Sequence, residues 1–115
     1  MSANRRVLYS DVNMIPLVER QLAAVRDVCR RLNVRRLDLF GSAVSGDFDA
    51  ATSDLDFVVS LEESSPAEYT ESYFALAHEL ERLFGRRVDL VTERSVRNPY
   101  FRQVIESTRQ PLYAG

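Results

Sequence analysis

Residues 39–61 read LFGSAVSGDFDAATSDLDFVVSL, and the fold follows from how this stretch divides. It begins with the end of a strand, breaks at Gly41-Ser42, crosses a polar loop and re-enters a strand that carries two aspartates. Asp54 and Asp56 are two residues apart with Leu55 between them. Side chains alternate across a strand, so both carboxylates point to one side. Leu55, Phe57 and Val59 line the opposite side, and Val58 follows the aspartates. Two uncompensated carboxylates side by side weaken a sheet. Holding a hard divalent cation through oxygen is the commonest reason to keep them there.

The chain has 115 residues, enough for one domain with one core. The whole span, 1–115, is expected to be a single domain with residues 1–13 as a loose lead-in. No run approaches eighteen apolar residues, which speaks against a membrane helix, and the N-terminus lacks the apolar centre of a secretory signal. One cysteine, Cys29, leaves no disulfide framework and fits a reducing, cytoplasmic setting. Net charge is −2, without the basic surplus of a protein that grips nucleic acid unspecifically. All 15 basic residues are arginine, the better bidentate partner for phosphate.

Outward from the central stretch, Val18, Leu22, Val25, Cys29 and Leu32 form one helical stripe behind Pro16, with Asn33 as its stop. Residues 35–40 alternate as a short strand with Leu37 and Leu39 on one face. Asp38 faces the other way, toward the side expected to hold an active cleft if helices cover only one face of the sheet; the expectation for it is an exposed residue paired with a nearby arginine rather than a cleft residue. Residues 42–46 can form a short helix whose first N–H groups, with the Ser42 hydroxyl, face an anion. Ser65-Pro66 opens a second long helix, with Tyr69, Tyr73, Leu76, Leu80 and Leu83 on its apolar face, Phe74, Ala77 and Phe84 alongside, and Gly85 at its end. His78, the only histidine, falls on its outer side. Residues 87–92 alternate again and put Asp89 inside an apolar strand. Asn98-Pro99 caps a last helix, read with Phe101, Val104 and Ile105 inward and Arg102 and Arg109 outward. Pro111-Leu-Tyr closes the chain as a strand or extended tail. The pattern is α+β: a small mixed sheet with helices packed mainly on one face.

If the strand over 87–92 lies beside the Asp54–Asp56 strand, Asp89 completes a cluster of three carboxylates. Such a cluster can hold two divalent ions, which activate an attacking oxygen and neutralise phosphate charge. Mg²⁺ suits it, since it accepts carboxylate and phosphate oxygen and keeps some water. In that scheme Asp54 and Asp56 hold the metals, Asp89 is third ligand and proton acceptor, and Gly41 and Ser42 take the nucleotide's terminal phosphates. There is no Cys/His metal set, no Ser-His-Asp order, and no Walker or dinucleotide glycine pattern.

The series Gly41-Ser42, Gly46, Ser53-Asp54-Leu55-Asp56, with Asp89 on a later strand, resembles the polymerase-beta-type nucleotidyltransferase superfamily. More narrowly it resembles the minimal nucleotidyltransferase (MNT) domains, and the likeness runs from about Val18 to Tyr113. It implies a palm-like fold, ATP as nucleotide donor, a two-metal Mg²⁺ site on Asp54, Asp56 and Asp89, and Gly41, Ser42 and Ser53 at the nucleotide. Many MNT proteins are antitoxins encoded beside a HEPN-domain toxin, and some transfer AMP from ATP to a tyrosine of that toxin. The resemblance therefore implies an adenylyltransferase with a HEPN-type protein partner. The chain departs in two respects: the spacing from Ser42 to Asp54 is one residue longer than the commonest form, and Ala43, Val44 and Ser45 stand where many relatives carry an arginine. Phosphate charge then falls to metal and backbone, or to Arg94, Arg97 or Arg102.

Two other functions fit the same residues: a non-catalytic module that silences a toxin by covering it, and a nucleotidyltransferase acting on a small molecule such as an aminoglycoside. The latter leaves little chain for binding an acceptor unless a dimer builds that part. Oligomeric state is open at this level.

Overall fold

The first helix among the described residues, α1 (Pro16–Arg31), starts at a proline whose missing N–H costs nothing in the first turn. It stops where Asn33 takes a left-handed backbone, φ 60°, which asparagine tolerates. The structure, a computed structural model, describes residues 14–46, 48–49, 51 and 53–115. The expected lead-in over 1–13 and loop residue Asp47 lie outside the described residues. After α1 come β1 (Val34–Phe40), a one-turn helix α2 (Ser42–Ser45), β2 (Leu55–Leu61), α3 (Pro66–Phe84) and β3 (Val88–Thr92). A 3₁₀ turn (Glu93–Ser95), α4 (Pro99–Thr108) and β4 (Gln110–Ala114) complete the chain.

Local chemistry sets the helix ends. Ser65 Oγ accepts the Glu68 N–H at 3.1 Å while Glu68 Oε1 accepts the Ser65 N–H at 3.3 Å, a reciprocal cap on α3. Gly85 ends that helix at φ 62°. Asn98 Oδ1 accepts the N–H groups of Tyr100 and Phe101 and opens α4.

The four strands form one mixed sheet in the order β3-β2-β1-β4. β1 runs antiparallel to β2 and to β4, and β2 runs parallel to β3. Pro111 lacks a donor and sits on the edge strand β4, where that is tolerated. One face of the sheet carries Leu37, Leu39, Leu55, Phe57 and Val59, all fully buried, against Val18, Val25 and Cys29 of α1 and Leu76 and Leu80 of α3. A register shift between Val34 and Arg36 turns Val34 into that same core. Burial pushes the Cys29 thiol up to about 12, so it behaves as a small hydrophobe. The other face carries Asp38, Phe40, Asp56, Val58, Asp89 and Val91. Helix α4 covers part of it, with Ile105 packed on Phe40, Val58 and Val96. The expected α+β arrangement, a mixed sheet with helices mainly on one face, is the one found.

Four expectations are corrected. Asp38 lies on the carboxylate face but is fully buried, not exposed. It is paired with Arg36 (Nη2–Oδ2 2.9 Å) and with Arg109, whose Nε donates to Oδ2. Arg109 points inward because α4 ends at Thr108, and the chain turns extended at Arg109, φ −61°, ψ 135°, out of phase with the helix. Phe101 and Val104 remain 37% and 47% exposed; Phe101 meets Phe40 only edge-on, at 5.8 Å between ring centroids, and Ile105 is the residue of α4 that is buried. Phe74 is 64% exposed and packs edge-on to Tyr73 at 5.2 Å.

Arg109 also donates to Glu93 Oε1 and Glu106 Oε2, each at 2.8 Å, and the hydrogen bond to Glu93 holds that carboxyl below the usual carboxylate range. Removing one partner of a buried pair strands the other charge. Arg109→Ala is expected to destabilise the fold by about 3 kcal/mol, the low end of that range because Arg36 still faces Asp38. Urea unfolding measures this, and a loss under about 1 kcal/mol would mean the pair behaves as a surface ion pair.

Candidate active site

Three backbone decisions build the site. The first is the register of β2 against β3. Asp56 is the partner of Asp89 across the parallel pair, between Leu55↔Val88 and Phe57↔Leu90. Directly paired residues point to one face, so the two carboxylates stand side by side there. Asp54 precedes the first residue of β2 and is exposed. Its charge reaches Asp56: burial above all, then Asp89, then Asp54, pushes the Asp56 carboxyl up to about 6.

The second decision is the turn at Gly41. Its φ of 79° with ψ −145° belongs to a backbone region that is essentially glycine's own. A Cβ added there would lie 2.6 Å from Asp56 Oδ2. The bare backbone of Gly41 is thus one wall of the Asp56 carboxylate, and its closeness explains part of the burial that raises the pKa. The group that approaches the bare Gly41 backbone is Asp56. The Gly41 N–H donates to Thr108 Oγ1 at 3.0 Å. The amides of Val44 and Ser45 both donate to the Gly41 carbonyl at 3.0 Å. Ser42 and Ala43 therefore precede the first bonded amides of the turn, and what it offers an anion comes from them and the Ser42 hydroxyl.

The third decision is the loop into β2. Ser53 N–H donates to the Asp49 carbonyl at 2.8 Å, and Ser53 Oγ accepts the Asp49 N–H at 3.0 Å. Asp49 Oδ1 accepts the Ala51 N–H at 2.9 Å. Ser53 thereby shapes the approach to Asp54. Phe48 packs on the main core and so tucks this loop down, and the Arg86 guanidinium lies 5.3 Å from its ring centroid.

Of the residues singled out in the sequence, Gly41, Asp56 and Asp89 are brought together by register and contact, and Asp54 is close enough for its charge to be felt. Among the described residues, no three acidic, His or Cys side chains are gathered tightly enough to enclose an ion. Two arginines considered for phosphate charge are engaged elsewhere. Arg94 lies over the Tyr69 ring at 4.0 Å, and Arg102 donates to the Glu93 and Val96 carbonyls at 3.3 and 2.9 Å. Arg97 is exposed, and so is His78. Thr108 received no role from the sequence. Its signal was the antiparallel pairing of β4 with β1, which cannot be read before the two strands are placed together.

The donors fit a hard divalent cation: oxygen only, on one sheet face. A carboxyl whose folded pKa is raised binds its proton more tightly in the native state. Ionised Asp56 therefore costs no stability below its ordinary value of 3.8, and the full cost applies above about pH 6. A cation beside Asp56 would relieve that cost at neutral pH.

Gly41→Ala puts a methyl where Asp56 Oδ2 lies and forces an L-residue into a glycine backbone. The expected result is a loss of about 1–3 kcal/mol of stability, with the Asp56 carboxylate displaced from its seat against the Gly41 backbone. Thermal unfolding together with carbon-13 titration of the Asp56 carboxyl checks both halves.

Comparison with known proteins agrees with this architecture. A family model described as a nucleotidyltransferase domain matches residues 22–112. A protein of Methanocaldococcus jannaschii named "Putative protein adenylyltransferase" is 36% identical over 76 residues, 66% of this chain and 74% of its own. A solved structure named "putative minimal nucleotidyltransferase" is 31% identical and superposes with a TM-score of 0.59 over 80% of this chain and 89% of its own. A tri-AMPylated HEPN toxin of Shewanella oneidensis in complex with its MNT antitoxin matches with a TM-score of 0.59 over 84% of this chain and 72% of that one, at 20% identity, a likeness of fold. Among the described residues no helix is long and apolar enough to cross a membrane. The chain belongs to the nucleotidyltransferase domain family, among its minimal members, and is a nucleotidyltransferase.

Proposed function

We propose that this nucleotidyltransferase is a Mg²⁺-dependent protein adenylyltransferase, and that it acts as an antitoxin by moving AMP from ATP onto a hydroxyl of a HEPN-type toxin. The observation that carries the reading is the pairing of Asp56 with Asp89 beside the Gly41–Ser42 turn. The names of its relatives supply the acceptor class: one is called a protein adenylyltransferase, and another fold neighbour is held with an AMPylated HEPN toxin.

Asp54, Asp56 and Asp89 would hold the metal. Bound there, Mg²⁺ supplies charge neutralisation on the phosphates and a lower pKa for an oxygen it touches. The rest falls to the chain. The Ser42 and Ala43 amides and the Ser42 hydroxyl bind terminal phosphate oxygens, and the turn geometry set by Gly41 aims them. Asp89 lies on an edge strand and is exposed, so an incoming hydroxyl can reach it. It accepts that hydroxyl's proton as the oxygen attacks the α-phosphorus, and pyrophosphate leaves with the electron pair of the broken P–O bond. Phosphoryl chemistry of this kind is mainly positioning and electrostatics, which suits so small a protein.

Incubation with labelled ATP, Mg²⁺ and a HEPN-type toxin as acceptor is expected to add adenylyl groups to that toxin, seen by intact mass. The Asp54→Asn/Asp56→Asn protein is expected to add none. Protection against the toxin that persists in the double variant would favour a covering antitoxin, and label that moves to an aminoglycoside and not to protein would favour a small-molecule acceptor.

A further inference from the structure

The C-terminal end of α4 meets β1 at two consecutive residues. Thr108 Oγ1 accepts the Gly41 N–H at 3.0 Å, and Arg109 donates to Asp38 Oδ2. The register explains why the two grips coincide. β4 pairs Gln110 with Leu39 and Pro111 with Asp38. Continued by two residues, the same antiparallel register sets Thr108 opposite Gly41. At that point the chain is already helical and cannot supply a strand carbonyl. The threonine hydroxyl takes the carbonyl's place and extends the ladder by one side-chain bond.

The hydroxyl is suited to it. Thr108 Oγ1 donates its own proton to the Val104 carbonyl at 2.7 Å, the usual back-bond of a helical threonine. Its lone pairs are then left for an incoming N–H. The Gly41 amide it holds belongs to the peptide that leads directly into the Ser42 and Ala43 amides. It also belongs to the residue whose bare Cα borders Asp56 Oδ2. One bond thus governs both the aim of the phosphate-facing turn and the seat of a carboxylate. Arg109, anchored on Asp38, Glu93 and Glu106, keeps this end of α4 in place.

We infer that Thr108 is a positioning residue for nucleotidyl transfer: its hydroxyl fixes the Gly41–Ser42 turn and, through it, binding of the Mg²⁺–nucleotide. The inference rests on the nucleotide being bound at this turn, but not on what accepts it.

The test uses the full chain with Mg²⁺–ATP as probe. Thr108→Val keeps the shape and removes the acceptor, and Thr108→Ser keeps the acceptor. The Val variant is expected to bind Mg²⁺–ATP about tenfold more weakly, the worth of one such bond left unmade. The Ser variant is expected to stay within about twofold of the parent. Amide exchange at Gly41 should speed up in Val and not in Ser, while exchange in the core strands stays the same in both, a pattern a general loss of stability would not give. Binding by Thr108→Val equal to the parent, or loss shared equally by Val and Ser, overturns the inference alone. A parent chain that does not bind Mg²⁺–ATP overturns it together with the proposed function.

Discussion

Two like charges held against their repulsion set the terms for the rest of the molecule. Asp56 and Asp89 are directly paired on neighbouring parallel strands, with the Asp54 charge close by and the Gly41 backbone against one carboxylate oxygen. Left in water these groups would separate. They stay together because their strands are locked from the other face, where Leu55, Phe57 and Leu90 are packed under α1 and α3. A one-residue slip of β3 would turn Asp89 into that core and Leu90 out of it, so apolar burial enforces an electrostatic conflict. The consequence falls on Asp56, whose carboxyl is pushed up to about 6 by burial first and by the Asp89 and Asp54 charges after it.

The two faces of the sheet divide the labour. One is a conventional core, formed by two long helices and closed by residues that are apolar for no other reason. The other is shared between a small apolar patch under α4 and the open carboxylates. The buried Asp38–Arg109 pair lies on this second face and joins β1 to the end of α4. A buried ion pair is weak evidence for stability as such. Here it fixes where a helix ends relative to the Gly41 turn, a geometric role that a hydrophobic substitute would not fill with the same direction.

Much of this was legible in the sequence, because period-2 and period-3.6 patterns are local. The strand over 35–40, the aspartate strand, the helix from Pro66 to Gly85, the Asn98-Pro99 cap and the closing strand are each written in a few adjacent residues. Asp54, Asp56 and Asp89 were readable as exceptions to those patterns. What was not legible depends on contacts between distant parts. Asp38 looked like an exposed residue because its partner, Arg109, is 71 positions away. Arg109 looked outward because the helical period was carried one residue past the true end of α4. Phe101 and Val104 looked inward because sequence periodicity gives the direction of a face but not how completely each residue on it is covered. Thr108 bears no pattern at all; its place opposite Gly41 exists only once β4 has paired with β1.

The proposed function depends on the Asp56 and Asp89 carboxylates, paired by register, acting as one cation site beside the Gly41–Ser42 turn. Carbon-13 NMR of the aspartate carboxyls, titrated with pH in the absence and presence of Mg²⁺ and a non-hydrolysable ATP analogue, reads it directly. The account predicts an Asp56 midpoint near 6 without metal, and a clear fall of that midpoint with metal, accompanied by a shift of the Asp89 resonance at the same metal concentration. An Asp56 midpoint near 3.8 without metal, or one that Mg²⁺ and nucleotide leave in place, would contradict it.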